Sequence, residues 1–365
     1  MRSIFLLCAI LIFGSSSAQL KVLHLTFHNG CKKEIESLSS ELNFNLETMV
    51  MHKLPIEQFD GRTIGGDRYN IDSKKAFEIW KRNKEYFDSF DLIITSDTAP
   101  LSRIFLQNNF QKPLIIWVCN RFDYTELGSR ACDFPDKAYY QMIQDAANKP
   151  NVALISYTEF EHVYATRIKN TKAWNQTIQP IGQTNKFVLN SSPIPKHINK
   201  KETFFVPPYH NDTIFMNLSK KLSSIGIPNY CGRYNGPLDL QDFKGIIHIP
   251  YAWSNLALFE NWERGKIYFI PSLSFICRLS REHNFFWSPP LIYRYLTLSE
   301  WYRKENKSNF VFFNSFDDLI HKISTTDYET KKLQILEFHK QHKNKTLKQW
   351  KTLFNSLFNN QVYSI

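Results

Sequence analysis

The sequence predicts an α/β protein built from two parallel-sheet domains in succession. Three observations carry that prediction. Apolar runs of strand length alternate with amphipathic helical stretches from Lys21 to Ser315. The runs are near-continuous rather than alternating, as in strands covered on both faces by helices. A polar, proline-punctuated segment at 171–202 interrupts the alternation, which then starts again. The chain of 365 residues has room for about two domains of roughly 150 residues each.

The first 18 residues stand apart. Arg2 precedes ten apolar residues, Ile4–Phe13, and Ser16 and Ala18 occupy the small-residue positions of a cleavage site. This predicts a secretory signal peptide over 1–18, its apolar run falling short of the about 20 residues a spanning helix needs. The mature chain is then expected from Gln19, with no spanning membrane segment. Its expected location is the lumen of the secretory pathway (ER/Golgi) or outside the cell, or the periplasm if bacterial.

Lys21–Phe27 reads as a buried strand, HNG as a tight turn and CKKEIESLSSEL as a helix, the first unit of an open sheet. Glu47–His52, Asp91–Ser96, Lys112–Cys119 and Asn151–Tyr157 read as further strands. Ser73–Phe87, APLSRIFLQNN, Phe134–Asn148 and Thr158–Lys169 read as helices. These make a first domain over 19–182, and 183–202 is assigned as the linker to a second domain over 203–330. There Thr203–Tyr209, NYCGRY, Ile246–Tyr251, Lys266–Ser272 and Asn309–Ser315 read as strands. Asp212–Ser224, with Ile214, Leu218 and Leu222 on one face, GPLDLQDFKG and Ser254–Arg264 read as helices. Two amphipathic helices close the chain, and 331–365 is expected to pack back on the first domain.

Composition excludes some classes. With 43% hydrophobic and 15% aromatic residues the chain is not disordered, and 12 glycines exclude collagen-like chains. There are 45 Lys+Arg against 34 Asp+Glu, hence +11, which suits nucleic acid, an anionic membrane surface or an anionic small substrate. The basic residues are scattered, except at 331–351, where their helical spacing reads as a solvated face. No nucleic-acid partner is expected. After signal removal Cys31, Cys119, Cys132, Cys231 and Cys277 form neither a disulfide framework nor a zinc pattern, although one or two bridges can form in an oxidising compartment. Sequons at Asn175, Asn190, Asn211, Asn217, Asn306 and Asn344 are glycan acceptors in a eukaryotic secretory protein, or chance in a chain rich in Asn, Ser and Thr.

GxGxxG, Walker A, GxSxG, HExxH and, in the mature chain, DxD are absent, so no metal role is expected. The most informative segment is HIPYAWSNLALFENWERGKIYFIPS, 248–272. A buried strand ends at Pro250-Tyr251, and Ser254 can cap the next helix, with backbone N–H groups near Ser254 and Asn255 offering an anion site. Glu260 lies two turns in, where a carboxylate can accept two ribose hydroxyls. The alternative is a capped amphipathic helix carrying a surface Glu.

This segment resembles the second-domain nucleotide-binding signature of GT-B glycosyltransferases: a helix with a Glu, a Gly five residues later, and an apolar strand ending in Pro, here Glu260, Gly265 and IYFIPS. TIQPIG resembles the turn by which such enzymes enter the second domain, and HNG at 28–30 resembles their first-strand loop. The order of elements matches over nearly the whole mature chain, the motif over about 25 residues. The resemblance implies two Rossmann-like parallel-sheet domains facing each other. It implies a metal-independent glycosyltransferase that moves a sugar from a nucleotide-sugar donor to a hydroxyl acceptor on a glycan, glycoprotein or glycolipid. No cofactor is implied beyond the nucleotide sugar as co-substrate. Many retaining members carry another Glu eight residues before the ribose Glu, where this chain has Ala252, so inversion or retention stays open.

The donor-binding candidates are Tyr251, Ser254, Asn255, Glu260 and Arg233, the last as a diphosphate clamp at a strand end or, alternatively, a surface Arg. His28, at the end of the first strand, is a candidate general base, or a turn histidine bonded to backbone. Asp123 is the rival base, and Asn120 and Arg121 are candidates to steer phosphate or acceptor; alternatively Arg121 and Asp123 pair to fix a loop. Asp97 reads as a helix cap, and the aromatic-rich Glu282–Leu296 as a packed cover rather than a sugar platform. Two other readings share the architecture: a periplasmic or secreted two-lobed small-ligand binding protein, which usually crosses between lobes two or three times, and a secreted sugar-binding protein without catalysis.

Overall fold

The computed structural model describes residues 19–50, 71–120, 122–123, 137–171, 174, 176–182, 192–208, 216–283 and 294–358. Residues 1–18, read above as an expected signal peptide, together with Arg121, Cys132, the sequons Asn175, Asn190 and Asn211, residues 183–191 of the assigned linker and most of the 282–296 segment, lie outside the described residues.

The first sheet is made of β1 (Lys21–Thr26), β2 (Asn45–Val50), β3 (Leu92–Asp97), β4 (Leu114–Val118), β5 (Val152–Ser156) and β6 (Gln176–Thr177). Its order is β2-β1-β3-β4-β5-β6, and every pairing is parallel. β3, β4 and β5 are buried along their whole length, as their unbroken apolar runs require. The helices are α1 (Asn29–Leu42), α2 (Ser73–Asp88), α3 (Arg103–Leu106), α4 (Lys137–Ala146) and α5 (Glu159–Val163), which continues into a π-helical turn at Tyr164–Ile168.

The second sheet is made of β7 (Phe204–Val206), β8 (Asn229–Cys231), β9 (Gly245–Ile247), β10 (Tyr268–Pro271) and β11 (Phe310–Phe313), in the order β11-β10-β9-β7-β8, again all parallel. Its helices are α6 (Leu218–Ser224), α7 (Pro237–Leu240), α8 (Leu256–Trp262), α9 (Leu273–His283) and α10 (Phe316–Thr325); α11 (Tyr328–Leu357) follows. The architecture is thus two Rossmann-like parallel sheets, the GT-B-like arrangement.

Several boundaries move for local reasons. α6 starts at Leu218, because Asn217 is its cap and accepts the Lys220 N–H; residues 212–215 of the expected helix lie outside the described residues. β9 ends at Ile247 rather than running to Tyr251; Pro250 has no N–H to add to a ladder. α9 is an element the sequence reading omits, although Phe275, Ile276 and Leu279 are spaced for one buried helix face.

The last helix joins the two halves. Trp350 meets Trp117 of β4 edge-on, ring centres 5.8 Å apart, and Phe354 meets Phe44 at 5.6 Å. On the other side Phe338 packs on Trp262 of α8 at 5.4 Å. Between them the chain leaves the first sheet through Pro180-Ile181-Gly182, which is gripped from several elements. Glu34 of α1 accepts the Ile181 N–H. From α11, the His342 Nε2–H donates to the Pro180 carbonyl at 2.7 Å, and the His339 Nε2–H to the Ile181 carbonyl at 3.0 Å. Gly182 has φ +80°, and a Cβ there would sit 2.8 Å from His339 Nε2 and 3.0 Å from the Phe259 carbonyl oxygen, so only glycine fits.

This clasp titrates. Burial pushes the Glu34 carboxyl up to about 8 and holds both histidines down to about 4. The folded chain therefore keeps a proton on Glu34 that the unfolded chain releases above its ordinary value near 4.5. Stability falls as pH rises through that window up to about 8. The histidines act in the opposite sense, only below their ordinary value of 6.5. Glu34→Gln keeps a neutral acceptor for Ile181. Thermal melts between pH 6.5 and 8.5 should show a falling midpoint in the wild type and a flatter profile in the variant; parallel profiles would contradict this account.

A second buried polar cluster centres on Glu300, which accepts from Gln179 of the first half and from Arg303. Asn306 is buried and donates its amide to the Glu300 carbonyl at 2.8 Å and carboxylate at 3.0 Å. The Asn306 sequon is therefore structural: a glycan there is incompatible with the fold. Asn344 is exposed on α11. Among the described residues, no helix is long and apolar enough to cross a membrane.

Candidate functional site

In an open parallel sheet, ligands bind beyond the carboxyl ends of the strands, where neighbouring strands send their connections to opposite sides. In the first sheet this point lies between β1 and β3, and in the second between β7 and β9. A cavity of about 240 Å³ occupies the second of these points and is closed by the first. Pro207 and Pro208 follow β7, and His248 and Tyr251 follow β9; His28, after β1, and Gly30, in the first turn of α1, reach over from the first sheet. Glu260 and Asn261 line it from α8.

The two halves approach closely here: a Cβ on Gly30 would lie 2.6 Å from Leu256 Cδ1 at the start of α8 and 2.8 Å from the His28 ring. Further contacts set the spacing of the two halves. Phe160 stacks on Trp253, ring centres 3.6 Å apart and planes 10° off parallel. The Ser254 hydroxyl donates to the Tyr157 hydroxyl at 3.1 Å.

His28, Tyr251, Asn255 and Glu260 are thus brought together on one cavity. Glu260 is half-buried, and burial raises its carboxyl to about 7, against the pull of Lys33 and His28. His28 caps α1, its Nδ1 accepting the Gly30 N–H at 3.0 Å. With Nδ1 so engaged, the neutral ring carries its proton on Nε2 and is a donor there rather than a base.

Other candidates are placed differently. The cap of α8 is Asn255, not Ser254: its Oδ1 accepts the Leu258 N–H at 3.0 Å, while the Ser254 side chain turns to Tyr157 across the crevice. Arg233 is exposed beyond β8, outside the cavity lining, and its carbonyl accepts the Tyr230 hydroxyl at 3.2 Å. Asn120 donates to the Asp97 carboxylate at 2.6 Å. Asp97 itself is the last residue of β3, with φ 74°, and its carbonyl takes the N–H groups of Cys119 and Asn120. It holds the β4 loop and caps no helix; the helical turn after it has Thr98 at its cap.

Asp123 requires correction as a catalytic base. It is fully buried and accepts from Tyr140 at 2.7 Å, Tyr164 at 3.0 Å and the Lys169 ammonium at 3.1 Å. A carboxylate so engaged, away from solvent, ties the loop after β4 to α4 and to the π-helical turn. It has no open face for an acceptor hydroxyl.

Sequence reasoning missed His248, Asn261 and Tyr268. His248 follows β9 in the way His28 follows β1, so the same strand-end argument applies to it. Asn261, 2% exposed, donates its amide to the Ala257 carbonyl at 2.7 Å and the Tyr268 hydroxyl at 2.9 Å. Its Oδ1 is buried on the cavity wall without a protein hydrogen-bond partner. A polar residue among the buried, otherwise apolar positions of α8 was the signal available for it. The cavity therefore offers an aromatic and aliphatic wall, a buried acceptor at Asn261, a carboxyl that ionises near neutrality at Glu260, and a ring donor at His28.

No protein-family model matches the chain, and no curated protein matches it. Solved structures do. A UDP-N-acetylglucosamine 2-epimerase is 12% identical, over 92% of this chain and 97% of that chain, with a TM-score of 0.47. The glycosyltransferase SnogD from Streptomyces nogalater is 10% identical, over 92% and 99%, with a TM-score of 0.44. Arabidopsis thaliana UGT89C1 complexed with UDP is 9% identical, over 89% and 94%, with a TM-score of 0.41. These are likenesses of arrangement along the chain; the two-domain fold itself stands on the sheets described above, and the chemistry of the site on its residues.

Proposed function

We propose that the crevice binds a nucleotide sugar and that the protein is a glycosyltransferase passing the sugar to a hydroxyl acceptor. The observation that carries this reading is the position of the cavity: it lies over the switch point of the second sheet, lined by Glu260, with the switch-point loop of the first sheet as its lid. The resemblance of 248–272 to a nucleotide-binding signature supports it independently of the topology.

In this reading the base enters among the apolar and aromatic residues of the second sheet, with Asn261 Oδ1 accepting from it. The ribose hydroxyls donate to Glu260. The diphosphate lies toward Asn255 and the first turn of α8, where helix amides other than the Leu258 N–H capped by Asn255 have no intrahelical partner, and toward the His28 ring. Those donors stabilise the departing diphosphate without a metal. The acceptor approaches from the first-domain side, past His28. For His28 to take the acceptor proton, Nδ1 must release the Gly30 N–H, so base catalysis there is coupled to movement of the first turn of α1.

A thermal-shift panel of nucleoside diphosphates and simple sugars tests the reading. Stabilisation by a nucleoside diphosphate is expected. Stabilisation by sugars or amino acids alone would instead favour a two-lobed binding protein.

A further inference from the structure

The segments after β1 and β4 carry two cysteines that the nucleotide reading leaves unused. Cys31 is the third residue of α1, and Cys119 follows β4. Their Sγ atoms lie 3.7 Å apart, 88 positions apart in sequence. Cys31 is buried, and Cys119 keeps partial contact with solvent. The two other described cysteines, Cys231 on β8 and Cys277 on α9, belong to the second domain.

We propose that Cys31 and Cys119 form a thiol–disulfide exchange site whose co-substrate is a small-molecule disulfide such as oxidised glutathione, and whose product is a Cys31–Cys119 bridge. The partly exposed Cys119 meets the oxidant first. Its sulfur attacks one sulfur of oxidised glutathione, the glutathione S–S bond breaks, and one glutathione leaves carrying the proton from Cys119. Cys31 then attacks the Cys119 sulfur of the mixed disulfide, and the second glutathione leaves and takes the second proton. Two protein thiols are oxidised to one disulfide, and one glutathione disulfide is reduced to two thiols.

The surroundings suit the resolving role of Cys31, whereas Cys119 is first to react because it alone of the pair is reached from solvent. The hydrogen-bonding contact with Cys119, with further help from His28 and Ser96, holds the Cys31 thiol well below its ordinary value against the opposing effect of burial, while burial pushes Cys119 up. The buried resolving sulfur is thus the better nucleophile at neutral pH. A disulfide has its sulfurs about 2.05 Å apart, so the 3.7 Å gap must close by roughly 1.7 Å. The bridge would tie the first turn of α1, which brings His28 and Gly30 to the cavity, to the loop that carries Asn120. The inference rests on this geometry and holds whether or not the crevice binds a nucleotide.

The test treats the full chain with oxidised glutathione, blocks remaining thiols with iodoacetamide, and maps peptides without reduction. A Cys31–Cys119 linked peptide is expected, lost on treatment with dithiothreitol. A thermal midpoint about 5–10 °C higher is expected, because the bridge closes a long loop of the unfolded chain. Cys31→Ser, which lacks the resolving sulfur, should accumulate a single glutathione adduct on Cys119. Finding both residues alkylated after oxidation, a link from either to another cysteine, or a Cys31→Ser chain without an adduct at Cys119 would overturn the proposal.

Discussion

Asp123→Ala is expected to cost about 3 kcal/mol of stability, because it strips the partner from a buried ion pair and leaves two tyrosine hydroxyls without their acceptor. Lys169, whose side chain is 23% exposed, can recover some hydration, which holds the loss to that order. Tyr164 is buried and has less relief, while Tyr140 is only partly buried; their hydroxyls meet at Asp123 between α4 and the π-helical turn. Asp123→Asn keeps an acceptor and should lose less. Denaturant titration of the three proteins gives the ranking, and nucleotide binding by the folded variants should match the wild type. A stable Asp123→Ala protein that has lost transfer activity would show that the carboxylate acts in chemistry instead.

Glu260→Ala is expected to weaken nucleoside diphosphate binding by about tenfold to a hundredfold, the worth of hydrogen bonds to a charged acceptor at about 1.5–3 kcal/mol. The pH dependence is more specific. In the free protein burial holds the carboxyl near 7, so at pH 6 most molecules carry a proton there and at pH 8 few do. Two ribose hydroxyls donate best to the ionised form. Affinity should therefore rise about tenfold from pH 6 to pH 8, the binding of the diol drawing the carboxyl downward. Glu260→Gln should bind more weakly at pH 8 and show no such rise. Calorimetric titration at the two pH values reads both effects; a wild-type affinity flat across this range would remove Glu260 from the ribose.

What could be read from the sequence depended on how local its cause is. β3, β4 and β5 are unbroken apolar runs because both faces are covered, and that pattern is present in the residues themselves. Glu260 was legible for the same reason: the helix, Gly265 and the strand after it lie within one short segment. β6 has only two residues, Gln176 and Thr177, and is a strand because β5 offers an unpaired edge; two residues carry no periodicity. Asp123 was misread because a position after a strand end points to the crevice only if the chain stays there. Here the chain turns inward to Tyr140 and Tyr164, which are 17 and 41 positions away. The clasp on Pro180-Ile181-Gly182 joins Glu34 to His339 and His342 across most of the chain, and no local pattern announces it. The pairing of Cys31 with Cys119 is of the same kind: it follows from the order of β1, β3 and β4 in the sheet, not from spacing.

The central claim is that a nucleoside diphosphate occupies the crevice with its ribose on α8. A crystal structure of the protein with a nucleoside diphosphate bound tests it directly. The account predicts both ribose hydroxyls within hydrogen-bond distance of the Glu260 carboxylate, the base against Asn261 and Tyr268, and the diphosphate between Asn255 and His28. A nucleotide bound away from Glu260, or a crevice left empty at saturating nucleotide, would contradict it.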